Sequence, residues 1–352
     1  MVASTPMGAE RTKPTIHDVA RRAGVSATTV SHTFSGKGVV ASETRDRVKA
    51  AASELGYRPD ALARGLRRNR LGVIGLVVRQ LDTLDSALPE GVDYFLRFAG
   101  SAALAALGHG YALMLISDPS GDDSPEAAYA CDGYLITDPV AGDPLLALLT
   151  EQRVPFLAVG RDPADPDLSG CLDTDNAATT VAVLDHLRGQ GARRVALLIG
   201  TDANAWNADS EAAYRDWTQR HGQPPLVVRR AESEGQQGGR EAASQLFDQP
   251  DPPDAVYCLT GRQAAGMLAA LSDRGLEVPA EVLVASGSDS EHTRSATPAI
   301  TSVDLCPDLL ARVAVTMLVN ILDTTDRPLP AGDIQGRLVI RDSTRRRPVT
   351  PS

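Results

Sequence analysis

Short apolar strands alternate with helices over most of the chain, from Leu71 to the C-terminal region. The strand candidates are apolar along nearly their whole length, and they include GVIGLVV, YALMLIS, GYLIT, VPFLAVG, RRVALLIG, PLVVRR, AVYCLT and EVLVAS. Strands of this kind are typical of parallel sheets that helices cover on both faces. We therefore expect an α/β core of two doubly wound parallel-sheet lobes, with a ligand cleft at the carboxyl ends of the strands.

Three short helices are predicted before this core, in residues 13–57. Apolar residues recur at helical spacing in TIHDVARRAG, Gly24 ends the first helix, and Ser26 is a suitable N-cap for the second. The third helix, SETRDRVKAAASEL, ends at Gly56. Two helices joined by such a short turn form a helix-turn-helix, so we expect a small all-α DNA-binding domain. A helical bundle with no role in DNA binding is the alternative.

The charge of the chain is unevenly distributed. Residues 11–70 contain 13 Lys and Arg against 5 Asp and Glu, a net charge of +8, whereas the whole chain carries −10. A basic domain attached to an acidic body favours nucleic acid binding, because neutralisation of phosphates drives that binding. The alternative interpretation is a solvated charged surface.

Residues 58–71 connect the two predicted regions. Pro59 suits the first turn of a helix, and the apolar residues of DALARGL follow it. Such a helix is too short to be stable alone, so we expect a hinge helix and linker that orders only against a partner. The ends of the chain, residues 1–12 and 346–352, are expected to be disordered.

The sequence gives no support to an enzyme. No G-x-G-x-x-G follows a strand, no two histidines are spaced H-x-x-x-H, and no G-x-S-x-G is present. The four cysteines are widely spread, which indicates neither a zinc site nor a disulfide framework. We therefore expect no catalytic residue, no metal and no cofactor.

An exported solute-binding receptor would share the two-lobed core. It would need a secretory leader, and the first twelve residues lack the basic and then apolar pattern of one. It would also have no use for a basic helical domain. No apolar run reaches the ~20 residues of a membrane helix, so we expect a cytoplasmic protein without a membrane partner.

Several segments in this order closely resemble the LacI family of bacterial transcription regulators. They are TIHDVARRAGVSATTVS, ETRDRVKAAASELGYRPDALARGL, YFLRFAGSAALAALGHGY, CDGYLI, DTDNAATTVAVLDHL and RLVIRDST. The resemblance implies a core of the periplasmic-binding-protein-like type I and a homodimer that binds a palindromic operator, most simply as a repressor. It also implies a small-molecule effector in the cleft. An activator or a corepressor-dependent member of the family remains the alternative.

The resemblance implies a set of DNA-binding residues, namely Thr15, Ser26, Ala27, Thr28, Ser31, His32, Ala63 and Leu66. Ala27 and Thr28 open the second helix, whose N-terminal side chains meet base edges in such domains. His32 stands where most members of the family have Arg. Leu66 matches an apolar wedge that enters the minor groove.

For the effector, the resemblance and the neighbouring sequence indicate a second set of residues: Tyr94, Phe95, Arg161, Trp206, Ser210, Gly261, Ser288 and Asp289. At Ser210 the family usually has Arg, and at Gly261 and Ser288 it usually has Asp. Charge-assisted hydrogen bonds are the strong ones, so the loss of all three weakens a sugar site. We expect a sugar-like or atypical effector, or weak effector control.

By analogy with the family, the core spans residues 72–345 and the chain crosses between its lobes near Gly189, Ser302 and Thr325. The first lobe would then hold residues 72–188 and 303–325, and the second lobe 189–302 and 326–345. The C-terminal TRRRPVTPS has no apolar heptads, which disfavours a tetramer built on a C-terminal coiled coil.

Overall fold

The computed structural model describes residues 14–35, 38–57, 70–78, 93–121, 125–330 and 334–346. The chain divides into two compact units, residues 1–71 and residues 72–352. Of the expected hinge helix and linker at 58–71, residues 58–69, with Ala63 and Leu66, lie outside the described residues. Of the ends expected to be disordered, 1–12 and 347–352 lie outside them as well, whereas Arg346 is described and donates hydrogen bonds to the carbonyls of Pro279 and Glu281.

The N-terminal unit contains the three expected helices. They are α1 (Ile16–Ala23), α2 (Ala27–Ser35) and α3 (Ser42–Leu55). Gly24 and Gly56 adopt left-handed backbone angles directly after α1 and α3, a conformation that favours glycine and ends a helix. Val19, Val30 and Val48, one from each helix, are fully buried at the centre of this unit.

The first lobe of the second unit is built on a five-stranded sheet. Its strands run in the order β2-β1-β3-β4-β5, and every neighbouring pair is parallel. In chain order the elements are β1 (Val73–Val78), α4 (Asp93–Gly108), β2 (Ala112–Ser117), β3 (Gly133–Thr137), α5 (Pro144–Gln152), β4 (Phe156–Val159) and β5 (Cys171–Leu172).

The second lobe is built on a six-stranded sheet in the order β11-β10-β9-β8-β6-β7, where only β11 is antiparallel to its neighbour. Both sheets confirm the expected α/β fold. The remaining elements are α6 (Asn176–Gly189), β6 (Val195–Ile199), α7 (Ala205–Arg220), β7 (Val227–Arg229), α8 (Gly235–Phe247), β8 (Ala255–Cys258), α9 (Gly261–Asp273), β9 (Leu283–Ser286), α10 (Glu291–Ser295), β10 (Thr301–Asp304), α11 (Pro307–Asp323) and β11 (Arg337–Val339).

The first crossing between the lobes differs from the expectation. Val183, Leu184 and Leu187 of α6 are buried in the core of the second lobe, together with strands β6 and β8. The chain therefore crosses between β5 and α6, and the expected position near Gly189 is wrong. An amphipathic pattern indicates that a helix has a buried face, but it does not indicate which sheet that face covers.

The other two crossings follow strand β10 and helix α11. Strand β10 continues in the second sheet to Asp304, so the second crossing follows Ser302 by a few residues. Helix α11 then packs in the core of the first lobe through residues such as Leu310 and Leu318. The third crossing lies between the end of α11 and β11, a stretch that includes Thr325.

Among the described residues, no helix has both the length and the apolar character required to cross a membrane.

Candidate DNA interface and candidate effector cleft

Two hydroxyl side chains organise the helix starts in the N-terminal unit. The Ser26 Oγ accepts a hydrogen bond of 3.1 Å from the backbone N–H of Thr29, which makes Ser26 the N-cap of α2. At the start of α1, the carboxylate of Asp18 accepts hydrogen bonds from the backbone N–H and the hydroxyl of Thr15. These bonds lower the pKa of Asp18. Thr15 and Ser26, two of the predicted DNA-binding residues, thus lie at helix N-termini, which attract anions.

Helix α2 presents a polar face to solvent. Thr28 and His32 are exposed and one helical turn apart, whereas Ala27 and Ser31 beside them are half-buried. The ring of His32 lies over Gly38, where an added Cβ would come within 2.9 Å of the His32 Nδ1. The four α2 residues predicted to bind DNA therefore share one side of the helix, opposite the buried Val30.

The second unit contains a cavity of about 270 Å³ that is lined by residues of both lobes. It lies beyond the carboxyl ends of strands β4, β6, β8 and β9, where ligands bind in doubly wound sheets. The structure brings six of the eight predicted effector residues to its wall: Tyr94, Arg161, Trp206, Gly261, Ser288 and Asp289.

Phe95 and Ser210 are not among the lining residues. Phe95 packs against the core of the first lobe, and the neighbouring Tyr94 takes the cleft position instead. Ser210 is fully buried in α7, and its hydroxyl has no hydrogen-bond partner among the described residues. Sequence alignment places a residue on a helix but not on a given side of it, which is why these two expectations differ from the structure.

Tyr94 is held at the cleft wall by its own helix. Its ring stacks on that of Phe98 one turn later, with a centroid distance of 6.3 Å and an interplanar angle of 20°. Burial, and to a lesser extent the charge of Asp138, raises the pKa of the Tyr94 phenol. Tyr94 therefore stays neutral and offers an aromatic face.

An ion pair crosses the cleft. The Arg161 Nη2, directly after β4 of the first lobe, lies 2.5 Å from the Asp209 Oδ1 on α7 of the second lobe. Asn176 also donates a hydrogen bond to the Asp209 carboxylate, and the Arg161 Nε lies 3.3 Å from Asp173. Nearby, the backbone N–H of Ala141 donates to the carbonyl of Ala203 across the lobes. The chain therefore links its two lobes with its own groups.

Two of the residues that depart from the family are bonded to each other. The backbone N–H of Gly261 donates a hydrogen bond of 3.0 Å to the Ser288 Oγ. A Cβ at position 261 would lie closer than 3.0 Å to the Ser290 hydroxyl, so only glycine fits there without movement. Neither position supplies a carboxylate to the cleft.

Asp289 lines the cleft, but its oxygens already accept several hydrogen bonds. The donors are Thr293, Ser302, Arg294 and Arg341. Burial raises the pKa of this carboxyl, but the hydrogen bonds from Ser302, Arg341 and Arg294 outweigh that effect and lower it. Asp289 is thus an ionised group that joins the loop before α10 to β10 and to Arg341, two residues after β11.

Sequence reasoning missed three charged residues of the cleft, Asp138, Glu232 and Arg262. The Glu232 carboxylate accepts hydrogen bonds from the Asn207 side chain and from the backbone N–H of Thr201. Arg262 occupies the first turn of α9. A cation four residues after the apolar strand AVYC was the available signal, since side chains at that edge of a sheet face ligands. No group of His, Cys, Asp or Glu among the described residues is arranged to hold a metal ion.

A helix-turn-helix unit followed by a two-lobed core with an interlobe cavity defines the class of ligand-responsive, DNA-binding regulators. Comparison with known proteins agrees with this assignment. Residues 15–60 match the bacterial regulatory proteins of the lacI family, and residues 184–344 match a periplasmic binding protein-like domain. The HTH-type transcriptional repressor PurR of Escherichia coli is 30% identical over 344 residues, covering 94% of this chain and 96% of PurR. The chain belongs to the lacI family.

Solved structures share the fold. The lac repressor dimer bound to operator and the anti-inducer ONPF has a TM-score of 0.78 at 22% identity, over 95% of this chain and 99% of that chain. A complex of the transcriptional regulator CelR with cellobiose has a TM-score of 0.65 at 25% identity, over 94% and 99%. By its family, the present chain is a DNA-binding transcriptional regulator and not an enzyme.

Proposed function

We propose that this regulator is a cytoplasmic repressor that binds a palindromic operator as a homodimer and releases or retains it according to the occupancy of the cleft. The exposed polar face of α2 is the observation that carries this proposal, because it combines base-reading side chains with phosphate-binding helix starts. The relationship to PurR, which is described as a transcriptional repressor, supports repression. An activator or a corepressor-dependent regulator is the alternative within the family.

At the operator, we assign base contacts to the exposed face of α2. The Ala27 methyl suits a thymine methyl, and the Thr28 hydroxyl can donate to or accept from a base edge. His32 can donate to guanine N7, although it lacks the two-pronged geometry of Arg. Thr15 and Ser26 are assigned to phosphates, with Ser31 at a base or a phosphate. Ala63 and Leu66 of the hinge are assigned to the minor groove.

An exposed apolar face supports the homodimer. Leu96, Leu104 and Leu107 project from one side of α4 with exposed fractions of 58%, 73% and 65%, and Leu115 of the edge strand β2 is also exposed. Monomeric proteins rarely leave a contiguous apolar patch of this kind in water. We assign this face of the first lobe to contact with a second copy, which also places two heads on one palindrome.

The effector is assigned to the interlobe cavity. Tyr94 and Trp206 provide aromatic walls, and Arg161 and Asp289 provide charge, with Gly261 and Ser288 forming the floor between β8 and β9. A ligand that contacts both lobes binds one degree of lobe closure more tightly than another. It can shift the operator affinity only by as much as its own affinities for these two forms differ.

The test is selection of bound fragments from the genome of the source organism, followed by footprinting over a salt series. We expect two protected half-sites and an affinity that falls steeply as the salt concentration rises. A Thr28→Ala, His32→Ala double variant is expected to lose protection, whereas Ser53→Ala on the exposed surface of α3 retains it. Sequence-independent binding by the full chain, with no protected palindrome, would contradict the proposal.

A further inference from the structure

We propose that the effector carries an anionic oxygen group, a carboxylate or a phosphate, and that Arg262 binds it. This inference rests on the proposed function of the cleft and adds the chemical class of its ligand. Arg262 is distinct from the residues at which the family normally places charge, positions 210, 261 and 288.

The guanidinium of Arg262 has unused hydrogen-bonding capacity. Arg262 lines the cavity, and its Nε is fully buried without a hydrogen-bond partner. Within the part of the chain that the structure describes, no hydrogen bond or ion pair of this guanidinium is formed. A buried donor without a partner destabilises the protein, so such groups are retained mainly where a ligand or another group supplies an acceptor.

The guanidinium is also oriented in advance. A Cβ added at Gly235 would lie 2.8–2.9 Å from the Nη2, Cζ and Nε of Arg262. Three atoms of one plane at nearly equal distance mean that the flat face of the guanidinium covers Gly235. Its N–H groups lie in that plane and not toward the glycine, and this is the arrangement that binds an oxyanion with two parallel hydrogen bonds.

The position of Arg262 in its helix favours the same ligand. Thr260 is the N-cap of α9, so Arg262 is the second residue of the helix. A cation in the first turn is opposed by the helix dipole, which stabilises negative charge there. A bound anion would interact favourably with both the guanidinium and the helix terminus, and it would remove the conflict between them.

The other charged groups of the cavity wall already have partners. Asp289 binds two arginines, Glu232 accepts from Asn207 and from backbone N–H groups, and Arg161 binds Asp209. Asp138 likewise has a partner. Because these carboxylates are engaged, Arg262 is the lining charge whose hydrogen bonds remain to be made, and a ligand acceptor matches it.

The other residues that line the cavity indicate what the ligand contains besides the anionic group. Tyr94 of the first lobe and Trp206 of the second lobe both line the cavity of about 270 Å³, and aromatic side chains in a cavity of this size suit one small ring. The ligand class is therefore a small ring-bearing acid or phosphate ester, in place of a neutral sugar held by carboxylates.

Inorganic phosphate is the first probe, titrated against chloride at constant ionic strength. Trp206 reports occupancy by fluorescence, because Trp206 lines the cavity and Trp217 is buried in the core of the second lobe. We expect a saturable change that Trp206→Phe abolishes and that Arg262→Gln weakens by at least tenfold. Arg262→Lys keeps the positive charge without the planar geometry, so its phosphate affinity should lie between those of the unchanged protein and Arg262→Gln. Arg220→Gln, an exposed arginine at the far end of α7, is the matched control.

Paired ligands then identify the anion. Glucose, glucuronate and glucose 6-phosphate share a pyranose ring and differ in charge, so tighter binding of either anion that depends on Arg262 supports the proposal and names the group. A phosphate titration that does not saturate, or equal affinities in the full chain and Arg262→Gln, would overturn it. Footprinting of each variant distinguishes failure of the proposed function from failure of this inference. Absence of operator binding by the full chain would refute the proposed function, whereas operator binding without anion binding refutes only this inference.

Discussion

The ion pair between Arg161 and Asp209 holds the lobes together across the cleft, and Asp209→Asn is the change that isolates it. The two groups keep exposed fractions of 26% and 21%, so solvent screens them only in part. A hydrogen bond to a charged group contributes about 1.5–3 kcal/mol when buried. After a discount for this exposure, we expect the pair to favour the closed core by about 1–2 kcal/mol. That corresponds to a roughly 5- to 30-fold change in an equilibrium constant.

Opening can be measured in the ligand-free protein by small-angle X-ray scattering and by acrylamide quenching of tryptophan fluorescence. Trp206 lines the cleft and becomes more accessible as the lobes separate, while Trp217 stays buried. We expect Asp209→Asn to enlarge the radius of gyration and to increase quenching. The effector affinity should fall with it, because less of the protein occupies the closed form.

Glu211→Gln provides the matched control. Glu211 lies on the same helix two residues later, and its partners Arg215 and Arg229 both belong to the second lobe. Its loss should lower the stability of that lobe without opening the cleft. Equal scattering and equal quenching for the two variants would show that the Arg161–Asp209 pair does not control closure, and the reasoning would fail.

Three further predictions concern the acid range, the cleft floor and the dimer. The pKa of Asp289 is lowered in the folded protein. The ionised Asp289 carboxylate therefore stabilises the fold above the pKa that it has in the unfolded chain, and this stabilisation is lost as the pH falls through its pKa in the folded protein. Asp289→Asn should thus flatten the acid side of a plot of unfolding free energy against pH, measured by urea unfolding. Gly261→Ala should destabilise by about 1–3 kcal/mol through overpacking in thermal melts, whereas Gly189→Ala, with open space around it, should not. Leu104→Lys should produce monomers in analytical ultracentrifugation, unlike Leu329→Lys in an exposed loop.

The sequence was sufficient for most of the architecture because its signals are local. Gly24 and Gly56 end helices through their own backbone angles, and strands such as GVIGLVV are apolar on both faces wherever they lie. The assignment of α6 to a lobe required information about long-range packing, which no local pattern contains. Its buried face fits either sheet by pattern alone, and only the packed core shows that Val183 faces the second one.

The cleft was less predictable because its interactions join residues far apart in the chain. Arg161 and Asp209 are 48 positions apart, and Gly261 and Ser288 are 27 positions apart. Neither spacing corresponds to the periodicity of a helix or a strand, so no sequence pattern could predict these two contacts. The resemblance to the family indicated six residues that line the cavity, but it could not show that Asp289 is engaged by arginines or that Ser210 faces the interior.

The departures from the family are coupled to one another and are not independent losses. Glycine at 261 fits beside Ser290, and its N–H then bonds to the serine at 288, so these two replacements support each other. With both aspartates absent, a ligand hydroxyl loses its strong acceptors, and the unpaired guanidinium of Arg262 is the strong group that remains in this wall. The proposed preference for an anionic effector follows from this arrangement, because a wall without carboxylates at 261 and 288 and with an unpaired guanidinium favours ligands that accept hydrogen bonds and carry negative charge.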